Sequence, residues 1–146
     1  SLLMLFLEEG PNGYSQDGLD QAFTDRDASW DTRIEIENAF RDTTQAIKAI
    51  IESSEAAKDL IASRLRNQAD YYALFGAVHG LKSIGQLARP TEAAARLLKF
   101  TTDVENDEMR AKDAALNGYF DAARSASNDK GPREARINYI KNLLTA

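Results

Sequence analysis

The chain has 146 residues and a mass of 16.1 kDa, about one domain's worth, with 43% apolar and 28% charged residues. That composition excludes a disordered tail, a collagen-like rod and a membrane bundle. The lack of cysteine excludes disulfides, thiolate metal sites and cysteine nucleophiles, and a single histidine, His79, excludes any site needing two imidazoles.

The formal charge of −5 is unevenly placed. Residues 1–59 carry 13 acidic against 5 basic side chains, residues 60–109 carry 6 of each, and residues 110–146 carry 7 basic against 4 acidic. An acidic whole disfavours non-specific DNA binding, which depends on neutralising phosphates. The basic end can still meet nucleic acid or an acidic partner.

In chain order, the run Leu2-Leu3-Met4-Leu5-Phe6-Leu7 comes first, apolar on every side and so expected to be buried on every side. It is far shorter than the ~20 residues that span a bilayer. It also lacks the flanks of a signal peptide, so the expectation is a cytoplasmic protein without a membrane segment. Starting abruptly at Ser1, it reads as the end of a helix from a longer chain. Gly10-Pro11-Asn12-Gly13 is a turn cluster. Ser15 or Asp17 can cap a short helix carrying Leu19, Ala22 and Phe23, and Asp25 to Ser29 reads as a polar connection.

From Ser29 a long helix is predicted, with Ile36, Phe40, Ile47, Ile50 and Ile51 as one apolar stripe. Ser53-Ser54 breaks and recaps it, and the next helix presents Leu60, Ile61 and Leu65. Asn67 to Lys82 is amphipathic, with Tyr71, Leu74, Phe75, Val78 and Leu81 on one side, and Gly85 and Arg89-Pro90 stop it. Thr91 is placed as the N-cap of a helix carrying Ala94, Leu97, Leu98, Thr101 and Val104. Leu116, Tyr119, Phe120 and Ala123 mark another. Gly131-Pro132 opens the last, whose stripe is Ile137, Ile140, Leu143 and Leu144. No segment alternates with period two. The fold class is therefore all-α, one irregular bundle of six to eight helices over residues 1–146.

Chemical motifs are sparse. No Glu-x-x-His pair, His-Glu-x-x-His, EF-hand spacing or phosphate-binding glycine loop occurs, so no metal and no cofactor are expected. The acidic run Asp103, Glu105, Asp107 and Glu108 reads as a solvated face or a helix-dipole partner. His79 is the one candidate general base near neutral pH. Tyr72, Gly76, His79 and Ser83 share its helical face, but no carboxylate stands three or four residues away to orient the ring. Gly76 and Gly80 on that face allow a second helix, or a second copy, to approach closely. Arg124, Lys130, Arg133, Arg136 and Lys141 form the nucleic-acid candidate set, with Tyr139 near enough to interleave.

Three stretches carry a resemblance. They are Leu2-Leu3-Met4-Leu5-Phe6-Leu7-Glu8-Glu9-Gly10-Pro11 with Leu19-Asp20-Gln21-Ala22-Phe23, then Arg64-Leu65-Arg66-Asn67-Gln68-Ala69-Asp70-Tyr71-Tyr72-Ala73-Leu74-Phe75, then Ser125 to Asp129 with Arg133-Glu134-Ala135-Arg136-Ile137. In this order they resemble the helical region that follows the nuclease-like half of ParB/sulfiredoxin-like, GmrSD-type proteins of bacteria, associated with restriction of modified DNA and phage defence. The resemblance implies a C-terminal accessory domain whose partner is the nuclease-like half of a parent chain. It carries over no catalytic residue, because the family's Asp-Gly-Gln-Arg type motif does not occur here. Within the second stretch, Arg66, Asn67, Asp70, Tyr71 and Phe75 are expected to act structurally. Arg66 and Asp70 can pair four residues apart, or Asp70 can cap the helix, with Tyr71, Leu74 and Phe75 in the core. The function expected is thus a non-catalytic helical domain supporting DNA contact or assembly. The alternative is a stand-alone protein–protein interaction module, with a homo-oligomer among its forms.

Overall fold

Apolar residues recurring every three or four positions build helices throughout. The computed structural model describes residues 2–13, 16–28 and 31–146. It contains α1 (Leu2–Glu9), α2 (Gln16–Ala28), α3 (Arg33–Ile51), α4 (Gln68–Ser83), α5 (Pro90–Asp103), α6 (Asp107–Lys112), α7 (Ala114–Arg124) and α8 (Lys130–Leu144). Two 3-10 segments, Ala56–Ala62 and Arg64–Arg66, lie between α3 and α4. Among the described residues there is no strand, only an isolated antiparallel bridge between Leu87 and Thr145. The all-α bundle is therefore the observed architecture.

α4 is the axis of the molecule. Every residue from Tyr72 to Val78 is buried, because α8 packs along one side, α3 along another and α1 across a third. Gly76 permits this: a Cβ there would stand 2.9 Å from Ile137 Cδ1 and 3.0 Å from Phe6 Cζ. The close approach expected at this glycine is thus made by α8 and α1 of the same chain. At Gly80 a Cβ would meet the end of Lys141, Cε at 2.6 Å. α4 ends in a Schellman turn, with Gly85 at φ +70°, its N–H donating to Lys82 O at 3.1 Å, and Gln86 N–H donating to Leu81 O at 2.9 Å.

Several boundaries differ from the sequence expectation. α2 runs on through Ala28, so the connection placed at Asp25 to Ser29 is largely helix. α2 begins at Gln16, which puts Asp17 inside its first turn, while Ser15 and the expected helix start at Ser29 lie outside the described residues. α5 starts with Pro90 in its first turn, one residue before the cap assigned to Thr91, since proline's fixed φ suits that position. Asn106 separates α5 from α6 by accepting from the Glu108 and Met109 amides. Ser54 does recap the chain, accepting from Ala57 N–H at 3.1 Å, but the segment it opens winds as 3-10 rather than α-helix. The run Leu2–Leu7 is covered less than expected: Leu5 is fully buried, and Leu2, Leu3, Phe6 and Leu7 are half-buried against the core.

Candidate functional site

Asp70 sits in the first turn of α4 and is only 2% exposed, because α7 and the 3-10 turn at 64–66 close over it. Its Oδ1 accepts from the Tyr119 hydroxyl at 2.6 Å. Its Oδ2 lies 3.2 Å from Arg64 Nε, an ion pair whose angle falls short of a hydrogen bond. Arg64 also reaches Glu105 at 3.2 Å and lies over the Tyr119 and Phe120 rings. Burial first, then the neighbouring Asp70 charge, pushes the Tyr119 hydroxyl far above its ordinary range, so it stays a donor. The expected Arg66–Asp70 pair is not formed. Arg66 is exposed, and Arg64 takes its place because residues 64–66 coil as 3-10 rather than continuing α4 backwards. The capping role offered for Asp70 is likewise replaced by these side-chain partners. Asn67 is the N-cap of α4 without a side-chain cap bond, and Phe75 is fully buried.

The basic set is dispersed. Arg133 and Arg136, proposed as the centre of a phosphate-binding cluster, are 4% and 0% exposed. Arg136 donates to Ala122 O at 2.7 Å, and burial lowers its pKa against the opposing pull of Tyr119 and Asp70. Arg133 donates to Asn12 O and stacks on Tyr72, its guanidinium carbon 4.5 Å from the ring centre. The physical reason is register: 133, 136, 137, 140 and 144 fall on one face of α8, the face pressed on α4. Arg124 pairs with Asp121 at 3.0 Å, Lys130 with Glu134 at 3.8 Å, and Lys141 lies along Gly80. No single surface gathers the five.

The His79 and Tyr72 side chains do not face a common pocket among the described residues: Tyr72 lines a shallow depression with Leu2, Leu3 and Tyr71. Phe6 packs edge-on against both, with ring centres 6.2 Å and 5.6 Å away, and fills the space there. His79 Nδ1 lies 3.5 Å from Thr43 Oγ1, and burial first, then Lys141, lowers its pKa. Among the described residues no group of three or more metal-capable side chains converges. No helix among them is long and apolar enough to cross a membrane.

Among the described residues an apolar cleft opens around Tyr71. Its deepest part, about 210 Å³, lies between α3, the 3-10 segments, α4 and α5, lined by Ile47, Ile50, Ile51, Leu60, Ile61, Leu65, Leu74 and Leu97. Two shallower depressions share Tyr71 with it, one running along α3 past Thr44, Lys48 and Glu52, the other reaching Leu2 and Leu3 of α1. Ile61 stands 61% exposed at the edge, one of three strongly exposed isoleucines among the described residues, with Ile34 and Ile84. The charged residues lining the cleft are Lys48, Lys58 and Arg66 against Glu52. Lys58 pairs with Glu55 at 3.1 Å, whereas Lys48 and Arg66 make no ion pair among the described residues. Burial raises the Tyr71 pKa, so the cleft carries no phenolate near neutral pH.

Sequence reading reached Tyr71 but not the cleft. The apolar spacing puts Ile61 on the buried face of a helix, and only the 3-10 winding turns it outward while Leu60 and Leu65 turn in. Fold and site together define an all-α bundle with an apolar surface groove on a basic rim. The chain matches no protein-family model, no curated protein and no solved structure.

Proposed function

We propose that this chain is a non-catalytic helical accessory domain that binds protein through the cleft around Tyr71. The observation that supports this reading is an almost wholly apolar cleft left open at the surface, with Ile61 at its edge. Apolar grooves between helices are where amphipathic segments seat. In keeping with the resemblance, the parent is a nuclease-like restriction or phage-defence protein of the bacterial cytoplasm, and assembly rather than phosphate binding is this domain's part in it. A stand-alone interaction module uses the same cleft, so the two readings differ only in parentage.

The test uses the purified chain at high dilution with the fluorophore anilinonaphthalene sulfonate, whose rings seek apolar surface and whose sulfonate suits the cations of the rim. Saturable binding by the natural sequence, weakened by Ile61→Asp without loss of helical circular dichroism, is expected. Absence of binding by the folded chain overturns the reading, and metal-dependent DNA cleavage by the same preparation overturns its non-catalytic part. Parentage is tested in the coding sequence upstream of Ser1, where an Asp-Gly-Gln-Arg type motif is expected and its absence removes the nuclease link.

A further inference from the structure

α2 carries a short apolar stripe that is only partly covered, with Leu19 and Ala22 half-buried and Phe23 exposed. Its sequence, Gln16 to Ala28, holds four aspartates against Arg26 alone. Leu19, Ala22 and Phe23 recur at three and four residues and so share one face. None of the three belongs to the core cluster, and Phe23 is 39% exposed. α2 is held to α1 through Arg26, which pairs with Glu8 at 2.9 Å and Glu9 at 2.8 Å. No other helix packs broadly on its described residues.

The cleft is the complement of this helix. It is apolar where α2 presents Leu19 and Phe23, and its lining carries Lys48 and Arg66, without an ion pair among the described residues, where α2 carries a net acidic charge. An apolar cavity of about 150 Å³ takes up a benzene ring, so the 210 Å³ at the cleft's centre has room for a phenyl group. One helix links the two features: Leu2 and Leu3 at the start of α1 line an end of the cleft, and Glu8 and Glu9 at its close hold α2. Eight residues of α-helix are about 12 Å long, so donor and acceptor sit side by side on one molecule. That arrangement lets two copies exchange them about a twofold axis, with the same patch used on both sides.

We infer that the occupant of the cleft is α2 of a second copy of this chain, entering with Phe23 as its anchor and with Asp20 and Asp25 toward Lys48 and Arg66. The inference rests on the protein-binding reading above and gives it a partner. Charge complementarity of this kind fixes register and partner choice, and the buried aromatic carries the affinity.

Sedimentation velocity over a wide concentration range tests it, alongside fluorophore binding. A reversible monomer–dimer equilibrium is expected. Phe23→Ala is expected to weaken it on the order of tenfold or more while leaving fluorophore binding at high dilution unchanged. Lys48→Glu with Arg66→Glu is expected to weaken it on the order of tenfold, and Asp20→Lys with Asp25→Lys added to that background is expected to restore it. Fluorophore bound per chain should fall as the natural chain is concentrated and stay constant for Phe23→Ala. A chain that stays monomeric at every concentration yet binds the fluorophore overturns this inference alone. A dimer indifferent to Phe23→Ala, or charge reversals that do not compensate, also overturns it. A folded chain that binds no fluorophore at high dilution overturns the protein-binding reading on which it stands.

Discussion

At the scale of single residues, the controlling fact is that one buried carboxylate answers two cations, the half-buried Arg64 and the buried Arg136. Asp70 faces Arg64 directly, and the charge of Arg136 is felt at the same site. Removing one partner of a buried pair costs about 3–5 kcal/mol where the other is left uncompensated. Arg64 keeps Glu105 at 3.2 Å, so Asp70→Ala is expected to lower unfolding free energy by about 3 kcal/mol, the low end of that range, in a urea titration. Tyr119→Phe, which deletes one hydrogen bond and leaves Oδ1 short of a donor, should cost about 1–3 kcal/mol. Arg66→Ala, at an exposed side chain without an ion pair, should change stability by less than about 0.5 kcal/mol. Equal losses at Arg66 and Asp70 would show that the partner has been misassigned. The sequence pointed to the right stretch and the wrong arginine, because spacing of four residues identifies a pair only where the backbone is α-helical throughout. At 64–66 it is not. Arg133 and Arg136 misled differently: their charge suggested a surface, yet their phase with Ile137, Ile140 and Leu144 already placed them on the buried stripe. Phase outweighed charge there because a guanidinium can be held inside by a carbonyl and an aromatic face.

At the scale of elements, the two glycines of α4 look alike in sequence and differ in what they touch. Gly76 faces Ile137 and Phe6, both locked in packing, so a methyl there must push core side chains apart. Overpacking costs about 1–3 kcal/mol, against a gain of about 1 kcal/mol in helix propensity. Gly76→Ala is accordingly expected to be destabilising by about 1 kcal/mol. Gly80 faces only the end of the Lys141 side chain, which can swing away. Gly80→Ala should therefore be neutral or stabilising by up to about 1 kcal/mol. Thermal unfolding of the two variants side by side separates them, and equal midpoints would mean that α8 is not seated on Gly76 as described. The all-α class, the stripes of α3 and α8 and the turn at Gly85 were legible, since periodicity and glycine placement report local geometry. The one-sided stripe read for α4 was not, because Tyr72 to Val78 are buried all round and Tyr71 borders the cleft. The 3-10 winding of 56–66 was not legible, because Leu60, Ile61 and Leu65 fit an α-helical stripe equally well. What decides the matter is the path the chain must take from the end of α3 to the start of α4 under α5. The cleft depends on that path, so it too was hidden from sequence.

At the scale of the whole molecule, four helices meet at His79. The ring sits on α4, with Phe6 of α1 edge-on against it, Thr43 of α3 at 3.5 Å, and the Lys141 ammonium of α8 as the charged neighbour. Burial is the larger cause of its lowered pKa and Lys141 the smaller, so the folded protein binds this proton less readily than the unfolded chain does. Where the unfolded state holds more protons, stability rises with pH. His79's contribution is therefore complete above the unfolded value of 6.5 and is lost as pH falls from there toward the folded value. Asp and Glu titrate at about pH 4, so the interval from about pH 7 down to about pH 5 isolates the histidine. Urea unfolding across that interval should show stability falling with pH for the natural chain and a flatter profile for His79→Gln, which keeps a polar group near Thr43 without a titrating ring. The sign is diagnostic: stability that rose on acidification would mean the imidazolium is favoured in the fold, and the junction of α1, α3, α4 and α8 could not then be packed around a neutral ring. Because Phe6 lies on both His79 and Tyr72, the same acidification should loosen α1 first, and amide exchange should quicken in residues 2–9 before it does in α4.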